Sequence, residues 1–147
     1  MTDAIEKTTT LKASIDKVWD AIIDHEKFGE WFLVKLYQPF RVGEITRGHI
    51  THPDAEGMEW ESVTKEIRPK TYFAMIWYPD DAAPTPGQKR VEMLVEFKLR
   101  EVEDGTHLTI IESGFDALPD GVRDEVWRRN EGGWTEQIRN ISEYVDG

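Results

Sequence analysis

A chain of 147 residues has the size of one domain and is long enough to bury a core or enclose a cavity. It contains no cysteine, which excludes disulfides, a thiolate nucleophile and zinc–thiolate sites. Its 18 basic and 29 acidic side chains leave a net charge of −11, which disfavours nucleic acid and anionic membrane surfaces as partners.

The densest basic spots, Lys89-Arg90 and Arg128-Arg129, are short and lie near acids. No apolar run approaches the ~18 residues of a membrane span. The first residues lack the basic and apolar regions of a signal peptide. A soluble cytoplasmic protein with no membrane insertion is therefore expected.

In chain order, residues 5–11 form a Thr-rich alternating run that reads as a strand. Ser14 is placed to cap a helix, because its hydroxyl can accept from the free amides of a first turn. Ile15, Val18, Trp19, Ile22 and Ile23 follow at spacings of 3, 4 and 7, which predicts an amphipathic helix with one buried stripe. Asp24-His25 ends it. Phe28, Trp31 and Phe32 predict a second, short aromatic helix that serves as a lid or a brace.

Strand and turn signals fill residues 34–115. Residues 44–51 alternate, residues 52–57 read as a loop, and residues 58–67 as a strand. After a turn at Arg68-Pro69-Lys70, the β-branched and aromatic run 71–78 predicts another strand. Residues 79–87 hold three prolines, too stiff for a regular element, and are expected to rim a cavity together with the Phe28–Phe32 turn. Residues 90–102 are the clearest strand, with Val91, Met93, Val95, Phe97 and Leu99 on one face. Asp104-Gly105 signals a hairpin, and residues 106–115 return.

Pro119 fits a first helical turn, and residues 122–145 then keep helical period. Trp127, Asn130, Trp134, Ile138, Ile141 and Val145 share one face. Gly132-Gly133 falls in the middle, where each glycine costs up to ~1 kcal/mol relative to alanine. They could thin the helix beside a cavity, but close packing against the first helix is the expected reason for keeping them. Strands grouped apart from helices make the fold α+β. The order predicts a curved antiparallel sheet of about six to seven strands wrapped around a long C-terminal helix, with two short helices after the first strand. Such a grip leaves a cavity between helix and sheet.

The segments Val18-Trp19-Asp20-Ala21-Ile22, Phe28-Gly29-Glu30-Trp31-Phe32, residues 106–115 ending in Glu112-Ser113-Gly114-Phe115, and Asn130-Glu131-Gly132-Gly133-Trp134 resemble the START-like (SRPBCC) superfamily. Within it they resemble the branch named after the activator of the heat-shock chaperone ATPase. The resemblance spans essentially the whole chain, and implies a single helix-grip domain over residues 1–147 with a hydrophobic cavity. It implies no one activity, since the superfamily includes lipid and hormone carriers and polyketide cyclases. The eukaryotic chaperone activators carry a separate N-terminal domain for which 147 residues leave no room, which weighs against a chaperone partner.

Six tryptophans in 147 residues is a high count. Trp60, Trp77, Phe97, Trp127 and Trp134 are the expected walls of a pocket for a small hydrophobic or aromatic molecule. Filling a solid core is the competing use for the same rings. Glu112 shares the inward parity of Leu108 and Ile110, so it is drawn into apolar surroundings. It could orient a ligand, act as a general acid or base, or pair with an indole N–H or an arginine. Asn130, between Trp127 and Trp134 on the helix, could meet a ligand carbonyl or satisfy Glu112.

His49 and His52 are three apart and point to opposite faces of a strand, so no metal site is expected. Ser113 has Ile111 two residues before it, which is no nucleophile elbow. No Gly-x-Gly-x-x-Gly or Walker loop occurs, so no nucleotide cofactor is expected. A ligand-binding protein is therefore preferred to an enzyme. Two rivals stay open: a cyclase- or hydrolase-like enzyme using Glu112, and a chaperone-associated or stress-response interaction module. The second would carry an exposed apolar patch around Trp31 and Phe32, through which a homodimer could also form.

Overall fold

The computed structural model describes residues 4–78 and 90–146. The loop expected to rim the cavity at residues 79–87 lies outside the described residues, as do Asp80 and Asp81. Strand β1 (Ala4–Leu11) is followed by helices α1 (Ile15–Ile23) and α2 (His25–Phe32). Six strands come next: β2 (Val34–Leu36), β3 (Ile45–Ile50), β4 (Glu59–Arg68), β5 (Tyr72–Trp77), β6 (Met93–Val102) and β7 (Gly105–Ser113). Short 3-10 turns at Pro53–Ala55 and Phe115–Ala117 precede β4 and the final helix, α3 (Asp120–Asp146).

The strands form one antiparallel sheet in the order β1-β7-β6-β5-β4-β3-β2, so the first strand returns to pair with the last. An irregularity between Thr64 and Glu66 breaks the β4–β5 register, and bulges of this kind sharpen local twist. The sheet curves, and α3 lies across its concave face. This is the expected α+β helix-grip architecture.

Local chemistry explains the turns into and out of the helices. Ser14 Oγ accepts from Lys17 N at 3.3 Å, capping α1. Asp24 ends α1 and starts α2, its Oδ1 accepting from Glu26 N at 2.9 Å and Lys27 N at 3.1 Å. The final hairpin differs from expectation by one residue. Val102 pairs with Gly105, so Glu103 and Asp104 form the turn and Asp104 takes the left-handed conformation (φ 64°). Gly105 is already in the strand for a different reason: a Cβ there would stand 1.9 Å from the carbonyl oxygen of Leu11.

Inward residues of every central strand meet one core. Phe28, Phe73, Phe97, Phe115, Leu108, Ile110 and Ile141 are among its fully buried members. Alternation on β6 is as expected, with Met93, Val95, Phe97 and Leu99 all buried. Helix α2 is a brace. Phe28 is edge-on to Trp31 and stacked with Phe32, both at 4.9 Å, and Trp31 donates its indole N–H to the Ala21 carbonyl at 2.8 Å. Trp31 and Phe32 are 2% and 8% exposed, so the apolar surface patch expected around them does not exist. Among the described residues the large apolar side chains that are exposed are Tyr37, Val42, Ile45 and Met58.

Candidate functional site

The parity of β7 buries Thr106, Leu108, Ile110 and Glu112 in succession. The run of apolar residues thus ends on a carboxylate with no exposed surface. Three donors from two other elements converge on it. Trp134 Nε1 donates to Oε1 at 2.9 Å, and Trp77 Nε1 donates to Oε2 at 2.7 Å. Asn130 Nδ2 lies 3.1 and 3.2 Å from the two oxygens. Burial pushes the carboxyl above its ordinary value, while these donors and the nearby Arg129 pull it back. Indole N–H groups donate and never accept, so the two tryptophans match the ionised carboxylate.

The same tryptophans form a wall. Trp77 and Trp134 stack at 5.5 Å with 20° between their planes. Trp60 stands edge-on to Trp77 at 5.4 Å and gives its N–H to Ser62 Oγ at 3.0 Å. Phe32 closes the group, edge-on to Trp60 at 5.3 Å and to Trp134 at 6.0 Å. In front of these four rings is a cavity of about 530 Å³ between α3, the Pro53–Ala55 turn and the ends of β4 and β5. Ile50 and Met58 add apolar surface to it, and Asn130, Gly133 and Gln137 line it from α3.

Of the residues singled out from sequence, Trp60, Trp77, Asn130 and Trp134 line this cavity. Glu112 is behind the wall, bonded to three of them. Phe97 is not among the lining residues. It packs into the core, stacked on Phe73 at 5.7 Å with its edge to Trp134 at 6.2 Å. Trp127 is also off the cavity, packed against the core with its buried Nε1 unpartnered among the described residues. Asn130 takes the second of its two expected roles, satisfying Glu112.

The two central glycines do not pack against α1. A Cβ at either Gly132 or Gly133 would meet no atom within 4 Å, so they face open space. Sequence reasoning missed His52, Glu136 and Gln137. Backbone Asp54 N–H donates to His52 Nδ1 at 3.0 Å, which leaves the proton on Nε2 to face Glu136 Oε1 at 3.1 Å. This pair ties the Pro53–Ala55 turn to α3 across the cavity. His49 points elsewhere and meets Tyr37 Oη at 2.6 Å. Gln137 was findable, since it follows Trp134 by three and Asn130 by seven on the same helical face. The His52–Glu136 contact, 84 residues apart, left no local signal.

A seven-stranded antiparallel sheet gripping a long C-terminal helix over a tryptophan-walled cavity defines a START-like helix-grip protein. Residues 12–146 match the family described as "Activator of Hsp90 ATPase homolog 1-like protein", and the chain belongs to that family. Among solved structures it is similar to protein MLL2253 from Mesorhizobium loti, with 20% identity and a TM-score of 0.78 over 97% of this chain and 96% of that one. It also resembles DynU16, described as a putative protein in the dynemicin biosynthetic locus (19% identity, TM-score 0.74), covering 99% of this chain and 48% of that one. A third is the protein described as the Aha1 dimer from Colwellia psychrerythraea, with 14% identity and a TM-score of 0.74 over 99% and 97% of the two chains. These likenesses carry the fold. A comparison with curated proteins gives no match. No helix among the described residues is long and apolar enough to cross a membrane.

Proposed function

We propose that the cavity holds a small hydrophobic, ring-bearing molecule, and that the protein acts as a binder or carrier. The observation that carries this reading is the contiguous wall of Phe32, Trp60, Trp77 and Trp134 facing about 530 Å³ of space. That volume is within the ~300–1,000 Å³ of small-molecule sites, and apolar walls with few polar groups are their usual composition. Glu112 acts here by positioning. It fixes Trp77, Trp134 and Asn130 rather than touching the guest, so it supports binding without requiring catalysis.

The test is to plug the cavity without dismantling it. Native mass spectrometry of freshly purified protein should reveal a co-purified guest, and a library screen by thermal shift should find synthetic ones. Gly133→Leu adds a side chain where a Cβ meets no atom within 4 Å, and it replaces a poor helix former. The variant is expected to lose guest binding while its melting temperature stays level or rises. Unchanged affinity in a folded Gly133→Leu protein would remove the cavity from the function.

Assembly is a separate proposal. The Colwellia psychrerythraea relative is described as a dimer, and this chain leaves Tyr37, Val42 and Ile45 exposed along the stretch that leads from the short edge strand β2 into β3. We infer a homodimer through that edge rather than through α2. Val42→Glu should then lower the mass measured by light scattering from dimer to monomer, and a monomeric parent protein would refute it.

A further inference from the structure

We propose that the guest of this cavity is a positively charged aromatic or alicyclic compound, an amine rather than a carboxylate; this rests on the cavity reading above. Three observations converge on it. The first is the state of the two stacked indoles. Trp77 and Trp134 both line the cavity and both donate their N–H to one buried carboxylate, Glu112. Hydrogen bonding to a full negative charge polarises the donor and pushes electron density into its ring. The ring face is the part that attracts cations, and tryptophan is the strongest of the aromatic side chains in this respect.

The second observation is that the polar lining groups have little to offer an anion. Asn130 gives its amide to Glu112, and Gln137 gives its own to the Phe32 carbonyl at 2.9 Å. His52 uses both ring nitrogens, and Trp60 donates to Ser62. Among the described lining residues the cationic side chain is Arg129, whose charge already acts on Glu112.

The third is the sign of the remaining charge. Asp54, Glu59, Glu61 and Glu136 all line the cavity. Glu61 is neutralised from the outer side by Arg47 at 3.0 Å and Arg90 at 2.9 Å. Among the described residues the ion-pair partner of Asp54 and Glu136 is His52, and the Glu59 carboxylate pairs with no cation. An entering carboxylate would therefore meet repulsion at the mouth, and within, most of the lining donors are already engaged. An ammonium group meets attraction at both places. The rim already shows this preference in miniature, where the Arg90 guanidinium sits 3.8 Å over the Tyr78 ring.

The experiment compares three probes that share one ring system: 1-naphthylmethylamine, 1-naphthalenemethanol and 1-naphthoate, titrated calorimetrically at pH 7. The amine is expected to bind roughly tenfold or more tighter than the naphthoate, with the alcohol between them. Raising the salt should narrow the gap, because the mouth carboxylates are solvent-exposed. Glu59→Gln, at an exposed position, should lower the amine-to-alcohol affinity ratio by about two- to threefold. Glu112→Gln should lower it too, and the Glu59 variant keeps the test open should Glu112→Gln fail to fold. If the naphthoate binds as tightly as the amine while the alcohol also binds, the charge inference is wrong and the cavity reading survives. If none of the three binds, both fall.

Discussion

Replacing Glu112 by glutamine isolates what the buried charge does for the fold. The carboxylate offers four accepting positions and receives contacts from Trp134, Trp77 and Asn130. Glutamine keeps one oxygen, so one indole N–H remains bonded and the other faces an NH₂ group. Asn130 can turn its own oxygen toward that NH₂, but an indole cannot turn from donor to acceptor. The variant therefore strands one buried donor, at a cost of about 1–3 kcal/mol. At roughly 2–4 °C per kcal/mol for a chain of this size, the melting temperature should fall by about 2–12 °C.

The pH dependence of that loss has a definite sign. Burial raises the folded-state value of Glu112 above its ordinary 4.5. The folded protein thus takes up a proton before the unfolded chain does, and the wild type gains stability relative to Glu112→Gln as pH falls through the raised value toward 4.5. Below 4.5 the difference is constant, and it shrinks again as pH rises through the folded value. Urea melts of both proteins between pH 4 and 8 measure this difference, in which the other carboxylates cancel. A gap that closes on acidification would refute the account of Glu112 as a desolvated carboxylate.

Outcomes at three further positions follow from the geometry. Gly132→Ala adds a methyl group to an exposed helical position with no atom within 4 Å, and should stabilise by about 0.5–1 kcal/mol in urea unfolding. Gly105→Ala forces a Cβ to within 1.9 Å of the Leu11 carbonyl, so β1 and β7 must part locally; a loss of about 1–3 kcal/mol is expected, with faster amide exchange along both strands. Trp134→Phe keeps a ring in the wall but removes the 2.9 Å bond to Glu112, costing about 1–3 kcal/mol. Trp134→Ala should cost about 3–5 kcal/mol from lost packing alone, which makes the phenylalanine variant the cleaner probe of binding.

Much of the fold was legible because it is written in short-range periods. The alternation on β6, the 3-4-7 spacing of α1 and the capping chemistry of Ser14 and Asp24 each act within a few residues of chain. The Asp104 turn was misplaced by one position because glycine next to aspartate signals a turn whichever residue supplies the positive φ. Here Asp104 supplies it, and Gly105 answers to a steric contact with β1, 94 positions earlier in the sequence. The parity of β7 placed Glu112 inside, yet could not say that Trp77 and Trp134 would meet it there. Nor could a helical period tell a glycine that admits a neighbouring helix from one that faces empty space. The separation of Phe97 and Trp127 from the cavity wall has the same origin, since both have the right parity or phase and differ only in how deep the core reaches at their level.

The economy of the wall lies in how few polar groups it leaves facing inward. Three indoles and a carboxamide would each carry an N–H into the cavity if left free, and every unmet donor would cost about 1–3 kcal/mol. Ser62 takes one, and a single carboxylate takes the rest through charge-assisted bonds, which are stronger than neutral ones. The cost of burying that charge is concentrated in one residue on a central strand, where both neighbouring strands hold the backbone in register. Trp77 and Trp134 turn their N–H edges to Glu112, and together with Trp60 and Phe32 they line the cavity. On the proposed reading such a cavity favours apolar area and positive charge, and the identity of residue 112 should then alter which guests bind.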